Sequence, residues 1–410
     1  MSRPRHGTLG RSERQEWSGT MKRWIVLTVA AACLAGCNQT TIGEAREDSY
    51  GRWYRTRARA LSNLAARRLE VGQVEAARKA AQEAVDMDPR FADARMVLGR
   101  VWIELGNFRA AITELGEACR LVGESAEAQY LLGVALERNG QRDRALGCYR
   151  RAHELDEQDV APVIAAAEVL AADGRTVEAA EDINKYISGD GGTTAMLELA
   201  GRLAMVNGQY TKAAGHYQTL VERVGQTPRY QEELARAYFG AERFDLSRDA
   251  LEIRIAMPPQ PPSAWVHAML GDSCMGLSRP HRASQAYESA VGLKPSSAPL
   301  LVKLSEAHLA AGDSAAAIRS ARRALAIQPG RLDATLVLGY SLLRAQQAQA
   351  ATRILEKASD LHPHSATLLC LLGRSYLAVG NDARARNCYE RAAKTDPTSR
   401  LARKMLTSGG

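Results

Sequence analysis

Aromatic side chains are scarce in this chain: 4 Phe, 5 Trp and 13 Tyr make up 5% of 410 residues. A cavity that encloses a lipid or a glycan needs an apolar or aromatic lining. A carrier of such cargo therefore ranks well below a surface that binds a polypeptide. The chain also lacks the short motifs of catalysis: no G-x-S-x-G, no P-loop, no H-E-x-x-H and no paired C-x-x-C. An enzyme and a cofactor are accordingly not expected. Nor is there an apolar run of the ~20 residues that a membrane-spanning helix needs; the stretch from Trp24 to Leu34 has eleven. The closest histidine pair, His362 and His364, flanks Pro363 with no third ligand nearby, which gives no metal site.

The basic balance of +8 is concentrated at the start. Residues 1–36 hold six Lys/Arg against two Glu, so the chain from Cys37 onward carries only about +4. Backbone binding to nucleic acid requires a concentrated basic face, and that class is excluded. Charge is nevertheless uneven. Residues 126–193 hold seven Lys/Arg against thirteen Asp/Glu, and residues 366–410 hold eight against three.

What the chain does contain is a period. Pro295, Pro329, Pro363 and Pro397 stand 34 residues apart. A small residue lies 24 before each (Gly271, Ser305, Gly339, Gly373), and alanines lie 12 before (Ala283, Ala317, Ala351, Ala385) and five before (Ala290, Ala324, Ala358, Ala392). Small side chains in this register let two helix backbones approach closely. Carried upstream, the small position falls on Ala65, Gly99, Gly133, Ala167, Gly201 and Ala235. Glycines between the two helices (Gly72, Gly106, Gly140, Gly174, Gly208, Gly312, Gly380) support the frame, because helices commonly end on a residue with positive φ.

The pattern resembles the tetratricopeptide repeat (TPR), a 34-residue helix-turn-helix. The resemblance implies an all-α chain, a right-handed superhelix or α-solenoid of about ten repeats: 58–91, 92–125, 126–159, 160–193, 194–227, 228–263, 264–297, 298–331, 332–365 and 366–399. The sixth is irregular, with Ser247 and Arg254 at its alanine positions and the proline-rich joint Met257 to Pro262, where a division into repeats 1–6 (58–263) and 7–10 (264–399) is expected. Residues 400–407 are expected to form a capping helix before a short tail to 410.

The resemblance also implies a concave groove lined by first helices, through their second, fifth, ninth, twelfth and thirteenth positions, with a protein or peptide partner lying in it. From the fifth repeat on, the ninth position reads Arg202, Arg236, Asp272, Glu306, Tyr340 and Arg374, two arginines followed by two acids, which suggests a groove that reads a partner's charge pattern. Met96, Tyr130, Met205, Trp265 and Met275 offer apolar anchors nearby. Lys and Asn do not occupy the positions of the carboxylate clamp of chaperone-binding relatives.

Ahead of the repeats, Met21 looks like the start, with residues 1–20 an upstream extension. Lys22 and Arg23, the apolar run and Leu34-Ala35-Gly36-Cys37 have the layout of a secretory signal over 21–36. A cysteine directly after Leu-Ala-Gly resembles the lipobox of bacterial lipoproteins, and the resemblance implies lipidation of Cys37. Asn38, where Asp would favour inner-membrane retention, leans toward the outer membrane. Residues 37–57 then read as a flexible tether, and its Trp53 and Tyr54 either begin the first helix or touch the membrane interface. Five further cysteines remain, Cys119, Cys148, Cys274, Cys370 and Cys388, an odd number that reads as small buried apolar residues and not as a disulfide framework. These features imply a non-catalytic assembly scaffold anchored in the cell envelope by lipid, similar in kind to TPR lipoproteins of type IV and Flp/Tad pilus assembly. Polysaccharide export is the alternative that shares anchor and groove.

Overall fold

A computed structural model describes residues 42–190, 192–257 and 262–407, and among the described residues there are 21 helices and no strand. The lipobox residues Leu34, Ala35, Gly36 and Cys37 lie outside the described residues, as do residues 258–261 of the proline-rich joint. The helices run in pairs: α1 (Ile42–Glu70) with α2 (Val74–Met87), α3 (Ala92–Glu104) with α4 (Phe108–Val122), and α5 (Ala126–Arg138) with α6 (Arg142–Leu155). Next come α7 (Ala161–Ala172) with α8 (Thr176–Asp190), α9 (Thr194–Val206) with α10 (Tyr210–Val224), and α11 (Pro228–Gly240) with α12 (Phe244–Ala256). The series continues through α13 (Ala264–Gly276) with α14 (Pro280–Leu293), α15 (Ala298–Ala310) with α16 (Ser314–Ile327), and α17 (Leu332–Arg344) with α18 (Ala348–Leu361). The last pair is α19 (Ala366–Ala378) with α20 (Asp382–Thr395), followed by α21 (Arg400–Thr407). Odd numbers up to α19 are thus first helices and even numbers second helices.

Each pair turns on a residue with positive φ. Gly72, Gly106, Gly140, Gly174, Gly208, Gly312 and Gly380 have φ between 69° and 88°. In the three remaining repeats the same place is held by Glu242, Ser278 and Gln346, at φ 57°, 54° and 59°, so the turn geometry persists without glycine. Caps start many of the helices: Asn107, Ser125, Thr193, Thr227, Asp313, Ser365 and Asn381 accept the N–H three residues on.

Within a pair, the small position is where the second helix crosses the first. A β-carbon added at Gly133, Gly201, Gly271 or Gly373 would stand 2.6–2.8 Å from the ring of Tyr149, Tyr217, Tyr287 or Tyr389, sixteen residues on. At Gly99 and Gly339 the neighbour is Leu115 or Leu355, at 2.4 and 2.7 Å. Where the position is Ser305, its hydroxyl, fully buried, donates to the Ala317 carbonyl at 2.7 Å. The alanines of the second helix (Ala111, Ala145, Ala213, Ala283, Ala317, Ala351) are likewise inaccessible to solvent.

The chain separates into two compact bodies, one ending at Pro162 and the other beginning at Val163. The separation therefore does not fall at the proline-rich joint, where a division after residue 263 was expected. On either side of that joint α12 and α13 pack on each other through Leu251 and Val266, and the Ser247 and Ser273 hydroxyls, both fully buried, lie 3.0 Å apart. Arg254 is also buried, held by Glu232 of α11 at 2.7 Å, so the sixth repeat replaces an alanine contact by an ion pair between its own two helices.

A second correction concerns residues 37–57, read as a flexible tether. Helix α1 begins at Ile42 and runs 29 residues without interruption. The physical reason is local: after Ile42 the segment contains no proline, and good helix formers such as Ala, Arg, Glu and Leu dominate it. At the other end α21 packs Met405 and Leu406 against the last repeat, with Ala402 inaccessible to solvent.

The crossing predicts opposite outcomes for two glycines of one repeat. Gly133→Ala should destabilise the N-terminal body by about 1–3 kcal/mol, because Tyr149 is packed on both sides. Gly147→Ala, on the open face of α6 with nothing within 4 Å of its β-carbon, should stabilise it by about 0.5–1 kcal/mol. Urea unfolding of both variants checks the pair, and equal effects would contradict the crossing.

Candidate functional site: the face of the first helices

First helices of neighbouring repeats touch one another directly (α1 with α3, α3 with α5, α15 with α17, α17 with α19), so within each body they form a common face. In the N-terminal body this face contains a cavity of about 470 Å³. Its lining comes from Leu69 and Glu70 of α1, Gly72 of the turn and Val74 at the start of α2, Arg100, Ile103 and Glu104 of α3, and Tyr130, Leu131 and Val134 of α5. Leu69, Val74, Ile103, Tyr130 and Val134 supply apolar walls, and Arg100, Glu70 and Glu104 supply the charged part of the lining. The Tyr130 ring is positioned by Tyr149, centroid to centroid 5.7 Å.

In the C-terminal body the same face is polar. Arg202 lies 3.6 Å from Glu168, one repeat earlier. Arg229 and the Tyr230 hydroxyl both donate to Glu198, at 2.9 and 2.6 Å. Arg236 pairs with Glu233 at 2.9 Å and stacks 4.3 Å above the ring centroid of Trp265. Beneath them, burial and the carboxylate of Glu233 push the Tyr217 phenol up to about 12, against Arg202 and Arg229.

The acids of the next repeats are gathered into a different arrangement. Lys303 reaches across one repeat to Asp272 at 2.7 Å, and the Tyr287 hydroxyl donates to Asp272 at 2.7 Å. Among the described residues no donor to the exposed Glu306 carboxylate matches those on Asp272. Partial desolvation, then the Asp333 carboxylate, push its carboxyl above the usual range; Lys303 opposes this and Asp272 adds to it. In the last two repeats the guanidinium of Arg374 lies 5.3 Å from the Tyr340 ring centroid.

All six ninth-position residues thus stand on first helices, but they are not one charge-reading row. Arg202, Arg236 and Asp272 have opposite charges within the chain, Tyr340 and Arg374 form a stacked pair, and Glu306 is the acid next to further acids. The cavity of the N-terminal body brings together Tyr130, expected as an anchor, and Arg100 and Val134, the ninth positions of the second and third repeats. Leu69 and Ile103, which complete its apolar wall, were not singled out; their signal was an apolar residue at the twelfth position of successive repeats. Of the expected anchors, Met96, Met205 and Met275 pack into the cores, while Tyr130 and Trp265 belong to the face.

Other chemistry finds little support. Among the described residues no group of three His, Cys, Asp or Glu is placed to hold a metal, and His362 Nε2 lies 2.8 Å from the Gly330 carbonyl. The five cysteines are free thiols. Burial pushes each of these thiols above its ordinary range, Cys119 to about 11 with Cys148 as the next cause.

Two family models, each described as tetratricopeptide repeat, match residues 63–120, 103–160, 130–192, 199–261 and 268–331, and residues 342–408, together more than half of the chain. No curated protein matches it. Among solved structures it is similar to the APC/C hetero-tetramer Cut9-Hcn1 (13% identity, 86% of this chain and 96% of the other, TM-score 0.40). It is similar also to Naa15/Naa10 bound to HypK-THB (15%, 86% and 66%, 0.45) and to a tetratricopeptide repeat protein from Parabacteroides merdae (13%, 62% and 99%, 0.41).

The position of Glu306 gives a pH dependence of defined sign. An acid whose carboxyl is raised in the folded state binds its proton more readily folded than unfolded, so its contribution to stability falls as pH rises from the ordinary Glu range through the folded value. Glu306→Gln should therefore raise stability at pH 7 and flatten the decline between acid and neutral pH, as read by urea midpoints across that range. A loss of stability at neutral pH would show that Glu306 is held by a favourable partner instead.

Proposed function

The chain belongs to the tetratricopeptide-repeat family, and on that premise we propose that it is a non-catalytic protein-protein interaction scaffold. Its partner is a polypeptide segment that lies along the face of the first helices, with apolar side chains entering the cavity between Tyr130, Ile103 and Val134. The observation that supports this reading most is that cavity. It is built from successive repeats, apolar in most of its walls, with Arg100, Glu70 and Glu104 among its lining residues. Apolar anchors in a pocket ringed by polar groups carry most of the energy of such contacts. Glu306, an exposed acid on α15, would favour a partner with lysine or arginine at the corresponding place.

The scaffold's address follows from the leader. Leu34-Ala35-Gly36-Cys37 after Lys22, Arg23 and a short apolar run supports a lipid on Cys37, and with it a periplasm-facing position in the cell envelope, at the outer membrane. A single acyl chain holds a protein only marginally and a second makes attachment durable, so the diacylglycerol of a lipoprotein suits a scaffold that stays in place. The task proposed is assembly of a pilus or secretion complex, with polysaccharide export as the competing system. The same anchor and the same face serve either.

Expression from Met21 in a diderm host, with crosslinking pull-down and mass spectrometry beside Cys37→Ser, tests these statements separately. A mass shift of a diacylglycerol-modified cysteine, lost in Cys37→Ser, is expected, with recovery of a secretin or pilus subunit. Polysaccharide synthases in its place would assign the export system. Tyr130→Ala should weaken capture of the recovered partner by about tenfold or more, the loss typical of an aromatic hot spot, with unchanged circular dichroism. Undiminished capture would remove the cavity from the binding site.

A further inference from the structure

Helix α1 extends well beyond what the repeat needs. From Ser49 to Arg57 every side-chain position is exposed except Gly51, which is partly covered, and the first buried residue is Ala58. Three aromatic residues stand on this projection: Tyr50, Trp53 and Tyr54 are 52%, 50% and 45% exposed in a chain otherwise poor in aromatics. Spacings of three and four residues put Tyr50, Trp53 and Arg57 on one side of the helix, with Leu64, 40% exposed, on the same stripe three turns further on. The two large rings are set against each other, Trp53 edge-on to Tyr54 at 5.0 Å, and the Arg57 guanidinium lies 5.3 Å from the Trp53 ring centroid.

From Ser49 onward the projection is basic: residues 49–60 contain Arg52, Arg55, Arg57 and Arg59 and no Asp or Glu, after Glu44, Glu47 and Asp48 in the first turns of the helix. Arg57 is paired with Glu83 of α2 at 3.0 Å. Exposed Trp and Tyr beside arginine, on a helix whose polar face is basic, is the composition that settles at the headgroup level of a bilayer, the rings in the interface and the guanidinium groups at anionic phosphates.

We propose that the N-terminal projection of α1 is a membrane-surface contact, lying on an anionic bilayer through Tyr50, Trp53 and Tyr54 with the arginines at its headgroups. Its position beside a bilayer rests on the lipid anchor proposed for Cys37. The helix rises about 17 Å from Ile42 to Trp53 at 1.5 Å per residue. The five residues back to Cys37 add at most about 18 Å, so the anchor keeps Trp53 within reach of the surface that holds it. The scaffold would then be oriented at the bilayer by a helix and not suspended on a loose tether. Charge favours this occupant: a second copy of this chain would set Arg52, Arg55 and Arg59 against the same arginines, whereas an anionic lipid surface complements them.

The test uses the full chain as Cys37→Ser, which has no lipid of its own, floated with phosphatidylcholine vesicles with and without phosphatidylglycerol. Binding is expected only with phosphatidylglycerol and should fall with added salt. It should weaken about tenfold or more in Arg52→Gln/Arg55→Gln, and similarly in Tyr50→Ala/Trp53→Ala/Tyr54→Ala. These positions are exposed, and unchanged circular dichroism confirms folding. Failure to float, or flotation indifferent to both variants, would overturn the proposal. So would a concentration-dependent dimer in sedimentation that the aromatic variant abolishes, since a second copy would then own the face. Lipidation of the natural chain is read separately by mass: an unlipidated Cys37 with flotation intact would remove the anchor and leave this contact standing, and the converse result would remove only the contact.

Discussion

The structure depends on one close approach, the crossing of the two helices in each repeat at a position where only a small side chain fits. The ring of Tyr149, Tyr217, Tyr287 or Tyr389 lies where the β-carbon of the facing glycine would be. Leucine takes the ring's place in repeats two and nine, and Ser305 meets a backbone carbonyl in repeat eight. Because the crossing recurs every 34 residues, first helices within each body meet their neighbours, and a face assembles from contacts between adjacent repeats. Stability of this kind adds up locally, which allows the irregular sixth repeat to substitute a buried Arg254–Glu232 pair for an alanine contact while α12 and α13 still pack.

That face carries different chemistry in the two bodies. In the N-terminal body it holds a largely apolar cavity; in the C-terminal body Arg202 and Arg236 are matched with Glu168 and Glu233, Asp272 with Lys303 and Asp333 with Arg331, and Glu306 lies among them as an exposed acid. Matched charges contribute little affinity, since exposed ion pairs are worth little and are screened by salt. They discriminate among partners by penalising a wrong charge. The apolar cavity is the place where affinity would be gained. Two of the crossing tyrosines link the two roles, with rings that fill the intra-repeat gap and hydroxyls that donate to first-helix carboxylates, Tyr287 to Asp272 and Tyr149 to Glu137.

Much of this was legible in the sequence because a repeat states its constraints many times. The small position, the alanines and the turn glycines each follow from a steric requirement that a single residue type satisfies, so helix pairing could be read directly. Glu242, Ser278 and Gln346 show the limit: the turn keeps its left-handed φ there although the glycine signal is gone. The residues of the face were harder to assign. Position nine falls on first helices, yet whether Asp272 is available or occupied by Lys303 and Tyr287 depends on neighbours 31 and 15 residues away. Polarity misled for residues 42–57, where a charged segment without proline is a helix and not a tether.

The claim that the first-helix face receives the partner is tested most directly by site-specific photocrosslinking in cells, with a photoreactive residue at Val134 in the cavity or at Gly147 on the exposed side of α6. Both positions lie in one repeat and differ only in the face they occupy. The account predicts a discrete crosslinked protein from Val134 and none from Gly147. The same product from Gly147, with Val134 silent, would contradict it and move the binding surface to the second helices.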